Sequence, residues 1–120
     1  MKILFHLSSC STCQRIVKEL DGQLHEFDLQ DIKSEKITES QLEKMAALSG
    51  SYEALFSRKA MKYRSMGLGD KDLSESDYKQ YILDEYTFLK RPVFIIGEEI
   101  FIGNSKKTIE AVKEKLSKQD

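Results

Sequence analysis

Cys10 and Cys13, the only cysteines of the chain, form a C-x-x-C directly after the apolar run at residues 3–5. A helical pattern of apolar residues, Ile16, Val17 and Leu20, begins at the same place. A C-x-x-C at the start of a helix, inside a strand-helix-strand pattern, is typical of a redox-active dithiol. The spacing therefore predicts Cys10 as a nucleophile and Cys13 as the thiol that resolves its oxidised form.

The position of Cys10 at a helix start has a physical consequence for its acidity. Unpaired backbone N–H groups and the helix macrodipole stabilise a thiolate there, and the N–H groups of Ser11 and Thr12 are candidate donors. The pKa of Cys10 should therefore fall below the free-thiol value of about 8.5. Cys13 lies one turn further on the same helix face, which permits a disulfide between the two.

The cysteine pair has three other interpretations. Both cysteines could be small core residues, because free cysteine is often buried. They could be half of a zinc site, but the chain offers only His6 and His25 beside them, so four ligands are hard to assemble and no metal is expected. A structural disulfide is disfavoured, because the N-terminus lacks a signal-peptide pattern and the protein is expected in the reducing cytoplasm.

The composition limits the class of protein. The 120 residues carry 19 basic and 20 acidic side chains, a net charge of −1, with 40% hydrophobic and 32% charged residues. This is the composition of one soluble domain with an adequate core. The balanced charge gives no overall basic field that would favour binding of nucleic acid. The apolar runs are too short to predict a membrane-spanning segment.

The periodicity predicts the order β-α-β, a helical insert, then β-β-α. A parallel strand pair, a hairpin and flanking helices imply an α/β fold with a mixed sheet. Pro92, the single proline, belongs at a strand start because it cannot donate to the ladder. The predicted strands cover 2–7, 24–29, 93–96 and 100–102, and the predicted helices cover 11–21, 38–48, 51–56, 59–66, 74–86 and a last one capped by Asn104 or Ser105.

Three motifs in order resemble the arsenate reductase (ArsC) family, which includes the Spx-type redox regulators. They are C-S-T-C at 10–13, F-S-R-K at 56–59 with Y-R-S-M-G-L at 63–68, and L-K-R-P-V at 89–93. The resemblance extends from residue 2 to about 116. It implies one domain over 1–120: a thioredoxin-like (glutaredoxin-like) core at 1–32 and 88–120, with a four-stranded mixed sheet, and a helical insertion at about 33–87.

The resemblance also implies site roles. Cys10 matches the nucleophile that attacks arsenate in the reductases, where glutathione with glutaredoxin completes the cycle and no cofactor is bound. Arg91 and Pro92 match a residue pair joined by a cis peptide. A guanidinium suits an oxyanion or a carboxylate, and beside Cys10 it would lower the thiol pKa. His6 matches a histidine near the nucleophile, although a strand histidine with a satisfied imidazole is an equal alternative.

The remaining oxyanion ligands depart from the reductase pattern. A second cation falls at Arg58 or Lys59, in an uncertain register. The third arginine, expected near residues 103–104, is absent, and only Lys106 and Lys107 are nearby. Gln14 also stands where the reductases carry an arginine soon after the nucleophile, with Arg15 following it. The site thus looks better suited to dithiol chemistry than to binding a highly charged oxyanion.

Three functional hypotheses follow. The first is an arsenate reductase-like thiol oxidoreductase, with glutaredoxin or thioredoxin as reductant, glutathione as co-substrate and a small oxyanion or thiol as substrate. The second is an Spx-like regulator that senses oxidation at Cys10 and Cys13 and binds RNA polymerase through protein contacts. The third is a redox-inert domain that uses the same fold for packing alone.

Overall fold

The computed structural model describes residues 1–20 and 22–118, and its strands and helices alternate in the predicted order. The end of the predicted first helix at Asp21 lies outside the described residues. The strands are β1 (Lys2–His6), β2 (Asp28–Asp31), β3 (Val93–Ile96) and β4 (Glu99–Ile102). The helices are α1 (Ser11–Glu19), α2 (Glu39–Ser49), α3 (Met61–Ser65), α4 (Glu75–Asp84) and α5 (Lys106–Ser117), with single 3₁₀ turns at Glu53–Leu55, Leu68–Asp70 and Tyr86–Phe88.

The chain divides into two compact units. The first holds Met1–Glu35 and the described residues from Arg91 onward, and the second holds Lys36–Lys90. The first unit carries the sheet with α1 and α5. The second carries α2, α3 and α4.

The sheet of the first unit has the strand order β2-β1-β3-β4. Strand β1 pairs in parallel with β2 and antiparallel with β3, and β3 forms an antiparallel hairpin with β4. Gly97 takes φ +63° in the hairpin turn, a conformation that favours glycine. The predicted mixed four-stranded sheet is therefore confirmed, and β1 is central as its apolar sequence requires.

One face of this sheet packs against α1 and α5. Leu4 and Phe94 are cross-strand partners, and both are fully buried with Ile16 of α1 and Val112 of α5. The wider cluster also holds Leu20, Phe27, Ile96 and Ile109. Burial of Ile16 and Leu20, four residues apart, fixes which face of α1 meets the sheet. This packing holds the first turn of α1, and with it the cysteines, at the end of β1.

Strand β2 begins later than predicted: it spans Asp28–Asp31, not residues 24–29. The preceding segment is a turn in which the Phe27 N–H donates to the Leu24 carbonyl over 3.0 Å. Phe27 is buried because its ring meets Phe94 edge-on from that turn, at 6.3 Å between centroids. Leu29, within the strand, is 49% exposed. The apparent alternation around residue 28 came from packing of the turn, which sequence periodicity does not distinguish from a strand.

The helices of the second unit have strong local start signals. Thr38 caps α2 with Gln41 in a reciprocal capping box, and Ser74 caps α4 in the same way with Asp77. The predicted helices at 51–56, 59–66 and 74–86 are shorter in the structure, where they are the turn at Glu53–Leu55, α3 and α4. Helix α4 stops because Glu85 is extended, with φ −143° and ψ 111°.

The core of the second unit is aromatic. The fully buried ring of Phe56 stacks on Phe88, with centroids 5.1 Å apart, and contacts Tyr78 at 4.9 Å and Tyr63 at 6.0 Å. An isolated β-bridge joins Phe56 to Leu89, so the end of the unit's chain is held beside the segment that follows the Glu53–Leu55 turn. Among the described residues, no helix has the length and apolar character needed to cross a membrane.

Candidate active site

Cys10 occupies the N-cap position of α1 at the end of a tight turn. Its backbone is extended, with φ −89° and ψ 120°, and its carbonyl accepts the first helical hydrogen bond from the Gln14 N–H over 3.0 Å. Its own N–H donates to the Leu7 carbonyl over 3.0 Å. The chain therefore leaves β1, turns once and delivers a partly exposed thiol to the start of the helix.

The pKa of the Cys10 thiol is lowered. Partial burial raises it, but hydrogen bonds from the backbone N–H groups of Cys13 and Thr12 outweigh that effect, and the Cys13 side chain and the charge of Arg91 lower it further. The donors are the second and third residues of the helix because an N-cap side chain faces those N–H groups. Thr12, one of the two donors predicted from the sequence, thus contributes to the lowered pKa of Cys10, and Cys13 contributes in place of Ser11.

The neighbouring thiol has the opposite character. Cys13 is 1% exposed, and burial raises its pKa to about 11, against a hydrogen bond from the Leu7 N–H that lowers it. The negative charge of Cys10 raises the pKa of Cys13 further, and the charge of Arg91 lowers it. Both cysteines are free thiols. One turn of helix thus holds an acidic, reachable thiol and a protonated, buried one.

The pairing of β1 with β3 places Arg91 near the two cysteines. Phe5 of β1 pairs with Val93 of β3, and the antiparallel register therefore places the segment before β3 beside the segment after β1. Arg91 is half-buried there, its peptide bond to Pro92 is cis, and its charge acts on both thiols. The Pro92 carbonyl accepts from the Gly103 N–H over 2.9 Å, which ties this turn to the end of β4.

Ser8, in the turn before Cys10, is held from two sides. Asp31 accepts from the Ser8 hydroxyl over 2.5 Å and from its N–H over 3.4 Å, and the Gln14 side chain donates to the Ser8 carbonyl over 2.5 Å. The Ser8 hydroxyl is also the main reason that the pKa of Asp31 is lowered. Sequence reasoning missed all three roles. The available signal was that the carboxyl ends of adjacent parallel strands meet, so Asp31 ends beside the end of β1.

His6 lies next to this carboxylate. It pairs in register with Asp31, and its imidazole interacts electrostatically with Asp31. With Ser8, Gln14 and Lys18, His6 lines a cavity of about 380 Å³. The structure thus associates His6 with Asp31; its predicted support of the thiolate stays a prediction.

Arg58 and Lys59 belong to the second unit. The Arg58 guanidinium donates to Glu53 over 2.8 Å and to the Tyr78 hydroxyl over 2.9 Å, and it lies 5.7 Å from the centre of the Tyr78 ring. The Glu53 hydrogen bond is the main cause of a raised Arg58 pKa. Both cations line a cavity of about 800 Å³ within that unit, together with Met61, Tyr63 and Arg64 among others.

Gln14 and Arg15, which stand where the reductase pattern has an arginine, make different contacts in the structure. Gln14 holds the Ser8 carbonyl, as described above. Arg15 lines a separate cavity of about 300 Å³ between α1 and the start of α5, with Asn104 and Lys106. Across this cavity Lys113 and Glu19 form an ion pair of 2.7 Å.

Within the described part of the chain, no three histidine, cysteine, aspartate or glutamate side chains are grouped as metal ligands.

Comparisons with known proteins agree with the resemblance. The family model of the ArsC family matches residues 5–112. Among solved structures, the YffB protein shares 22% identity and a TM-score of 0.81, over 97% of this chain and 99% of its own. An arsenate reductase from Vibrio cholerae shares 17% identity and a TM-score of 0.76, over 94% and 95%. A protein described as a possible arsenate reductase from Streptococcus mutans shares 26% identity and a TM-score of 0.75, over 94% and 98%.

A search of curated proteins by sequence finds no match. The family model nevertheless covers most of the chain, and the likeness to the solved structures extends over nearly its whole length. The thioredoxin-like fold expected from the motifs is thereby confirmed. With the dithiol at the start of α1 and the arginine before β3, the chain belongs to the ArsC family.

Proposed function

We propose that the protein is an arsenate reductase-like thiol oxidoreductase in which Cys10 is the nucleophile and Cys13 the resolving thiol. The observation that carries the proposal is the opposite acidity of two adjacent thiols. The pKa of Cys10 is lowered, whereas burial raises the pKa of Cys13 to about 11. A thiolate is the reactive form of cysteine, so at neutral pH an electrophile meets Cys10 first.

The proposed cycle has two steps. The Cys10 thiolate attacks a disulfide sulfur and displaces a thiolate, or attacks the central atom of a protonated oxyanion and displaces water, and becomes covalently bound to that atom. Cys13 then loses its proton and attacks the Cys10 sulfur, which forms the internal disulfide and releases the reduced product with the bonding electron pair. Cys13 is held one turn away, so this second step is intramolecular and does not need a second protein to collide with the intermediate.

Arg91 is the proposed substrate-orienting group. Its guanidinium offers a planar set of donors that fits an oxyanion or the carboxylate of a thiol substrate. Its influence on both thiol pKa values supports its nearness to the reacting sulfur. Arg58 or Lys59 as a second anion ligand, Ser11, Thr12 and Pro92 as further oxyanion-binding residues, and His6 as a supporting residue stay predictions.

The internal disulfide requires a reductant for turnover. Glutaredoxin with glutathione, or thioredoxin, supplies two electrons by dithiol–disulfide exchange and regenerates both thiols. No bound cofactor is needed for this chemistry, because the electrons enter and leave through sulfur.

The experiment is a coupled assay of arsenate-dependent NADPH consumption with glutathione, glutaredoxin and glutathione reductase. Wild type is compared with Cys10→Ser and Cys13→Ser. We expect Cys10→Ser to abolish turnover, because a hydroxyl is not ionised at neutral pH. We expect Cys13→Ser to lower turnover strongly while its Cys10 still reacts once with a disulfide reagent.

Two outcomes would contradict the proposal. Undiminished turnover in Cys13→Ser would remove Cys13 from the cycle and indicate a single-thiol reductase. A wild-type protein that reduces neither arsenate nor a small disulfide would argue against an enzyme. In that case the Spx-like alternative gains weight, and its test is co-purification with RNA polymerase under oxidising conditions.

A further inference from the structure

Arg15 and Lys106, which stand near positions where the reductase pattern has an arginine, line the same cavity. The cavity has a volume of about 300 Å³ and lies between α1 and the start of α5, with Asn104 and Glu110 also in its lining. Ligand pockets usually measure about 300–1,000 Å³, so this one is small and suits a group of amino-acid size.

The charged groups that line this cavity have both signs. Glu19 is already occupied, because it pairs with Lys113 over 2.7 Å. The Arg15 guanidinium approaches Glu19 only to 4.0 Å, and 66% of the Arg15 side chain is exposed. Among residues 1–20 and 22–118, Lys106 and Glu110 take part in no ion pair. Two cations and one carboxylate are thus available to a ligand that carries charges of both signs.

Both walls of the cavity begin beside the reactive thiol. In α1, Arg15 follows Cys10 by five residues, a rise of about 7.5 Å along the helix. On the other wall, Asn104 follows Gly103, whose N–H donates to the Pro92 carbonyl over 2.9 Å and so ties this wall to the cis turn before β3. A small molecule whose sulfur reacts at Cys10 can therefore extend into the cavity.

We propose that this cavity binds the amino-acid end, a carboxylate and an ammonium group together, of a small thiol co-substrate whose sulfur reacts at Cys10. Arg15, Lys106 and the Asn104 amide bind the carboxylate, and Glu110 binds the ammonium group. A γ-glutamyl thiol such as glutathione has this chemistry, because about eight bonds, an extended reach of about 10 Å, separate its sulfur from that carboxylate. The inference rests on the proposed dithiol function and assigns a co-substrate class to the same site.

The chemical step concerned is thiol–disulfide exchange at Cys10. With glutathione disulfide as the oxidant, the Cys10 thiolate attacks one glutathione sulfur, and the other glutathione leaves as a thiolate. Cys13 then loses its proton to water, attacks the Cys10 sulfur and releases the second glutathione thiolate, so two electrons pass from the protein to the two glutathiones. The cavity holds the glutathione that becomes joined to Cys10 and therefore acts on the first step.

Oxidation of the reduced protein by three disulfides, followed as loss of free thiol, tests the proposal. Glutathione disulfide carries its amino-acid groups far from the sulfur, cystine carries the same groups close to it, and hydroxyethyl disulfide is uncharged. We expect Arg15→Met and Lys106→Met each to slow the reaction with glutathione disulfide about threefold to tenfold, since each removes a charge-assisted hydrogen bond. Their reactions with cystine and hydroxyethyl disulfide should stay within about twofold of wild type.

Two further variants separate binding in the cavity from a general effect of charge. Lys107 is exposed beside Lys106 on α5 and is not among the described residues that line the cavity, so Lys107→Met should change the glutathione disulfide rate less than about twofold. Glu110→Gln should slow the same reaction about twofold to threefold, because it removes the ammonium contact. All four substitutions are at exposed positions, where changes have little effect on folding.

The outcomes distinguish the cavity from the proposed function. A wild-type protein that none of the three disulfides oxidises would refute the dithiol function, and with it the basis of the inference. Oxidation of wild type with unchanged glutathione disulfide rates in Arg15→Met and Lys106→Met would overturn the cavity alone. Equal slowing in Lys107→Met, or with cystine, would also overturn it, because the effect would then be general electrostatic attraction. A faster reaction of Glu110→Gln would overturn the assignment of an amino-acid group.

Discussion

The two units of the chain use an arginine in different ways. In the first unit, the charge of Arg91 lowers the pKa of both thiols at the end of β1. In the second, Arg58 donates to Glu53 and Tyr78, and its ion pair is half-exposed, with 46% of the Arg58 side chain accessible. An arginine thus shifts the pKa of thiols in one unit, whereas in the other an arginine joins a 3₁₀ turn to a helix through hydrogen bonds. The difference lies in what surrounds the guanidinium.

The cores of the two units differ in a parallel way. Aliphatic side chains of the sheet, α1 and α5 fill the first, with Phe94 at its centre, whereas rings around Phe56 fill the second. The first core supports the polar turn that precedes Cys10. The second core joins the two capped helices α2 and α4 to the short helix α3 and the single 3₁₀ turns.

Truncating the central ring of each core should have the largest effect. Phe94→Ala and Phe56→Ala each remove a side chain that is 0% exposed, so each should lower the unfolding free energy by about 3–5 kcal/mol. Urea unfolding followed by circular dichroism measures this. Leu29→Ala, at an exposed position, is the control and should cost well under about 1 kcal/mol. A small loss in Phe56→Ala would show that the aromatic cluster packs loosely.

The two thiols should give opposite dependences of stability on pH. The folded pKa of Cys13 is about 11 against an ordinary 9.0, so the folded state holds this proton more tightly than the unfolded state. Stability therefore falls as pH rises from 9 to 11, on the order of 1–2 kcal/mol, and Cys13→Ser should lack this loss. The Cys10 pKa is lowered, so its contribution grows as pH rises toward 9.0. Unfolding free energies of wild type and both serine variants, measured both below pH 9.0 and from there to 11, test the two signs.

Replacing Arg91 and Arg58 in turn should change the reactivity of Cys10 to different extents. Arg91→Met should raise the Cys10 pKa by up to about one unit, which slows iodoacetamide alkylation at neutral pH by up to about tenfold. Arg58→Met, a matched loss of charge, should slow it less than about threefold, since Glu53 already neutralises much of the Arg58 charge. Equal effects from both variants would mean that the second unit's cation acts on the thiol as strongly as Arg91.

The smallest effect is expected from the partner of Arg58. Glu53→Gln removes an exposed ion pair and should lower the unfolding free energy by less than about 1 kcal/mol, with less effect at high salt. Urea unfolding at low and high salt is the measurement. A loss of several kcal/mol would instead indicate that Glu53 and Arg58 are essential to the packing of Tyr78.

Local signals predicted much of the fold. The capping box at Thr38, the left-handed Gly50 that ends α2 and the hairpin around Gly97 depend on residues within a few positions of one another. The C-x-x-C at a helix start is local in the same sense, so the lowered pKa of Cys10 was foreseeable. Element ends were less predictable, and β2 was shifted because a buried residue in a turn resembles a buried residue in a strand.

The dithiol, its place at the start of a helix and the order of the strands and helices follow from the amino-acid sequence alone, because each depends on short-range geometry. The burial of Cys13, the nearness of Arg91 to the thiols and the contacts of Asp31 and Gln14 with Ser8 arise only when the strands and helices pack together. Residues 8 and 31 are separated by 23 positions and meet only because β1 and β2 pair in parallel. Side-chain periodicity shows which residues are buried; strand pairing decides which of them meet.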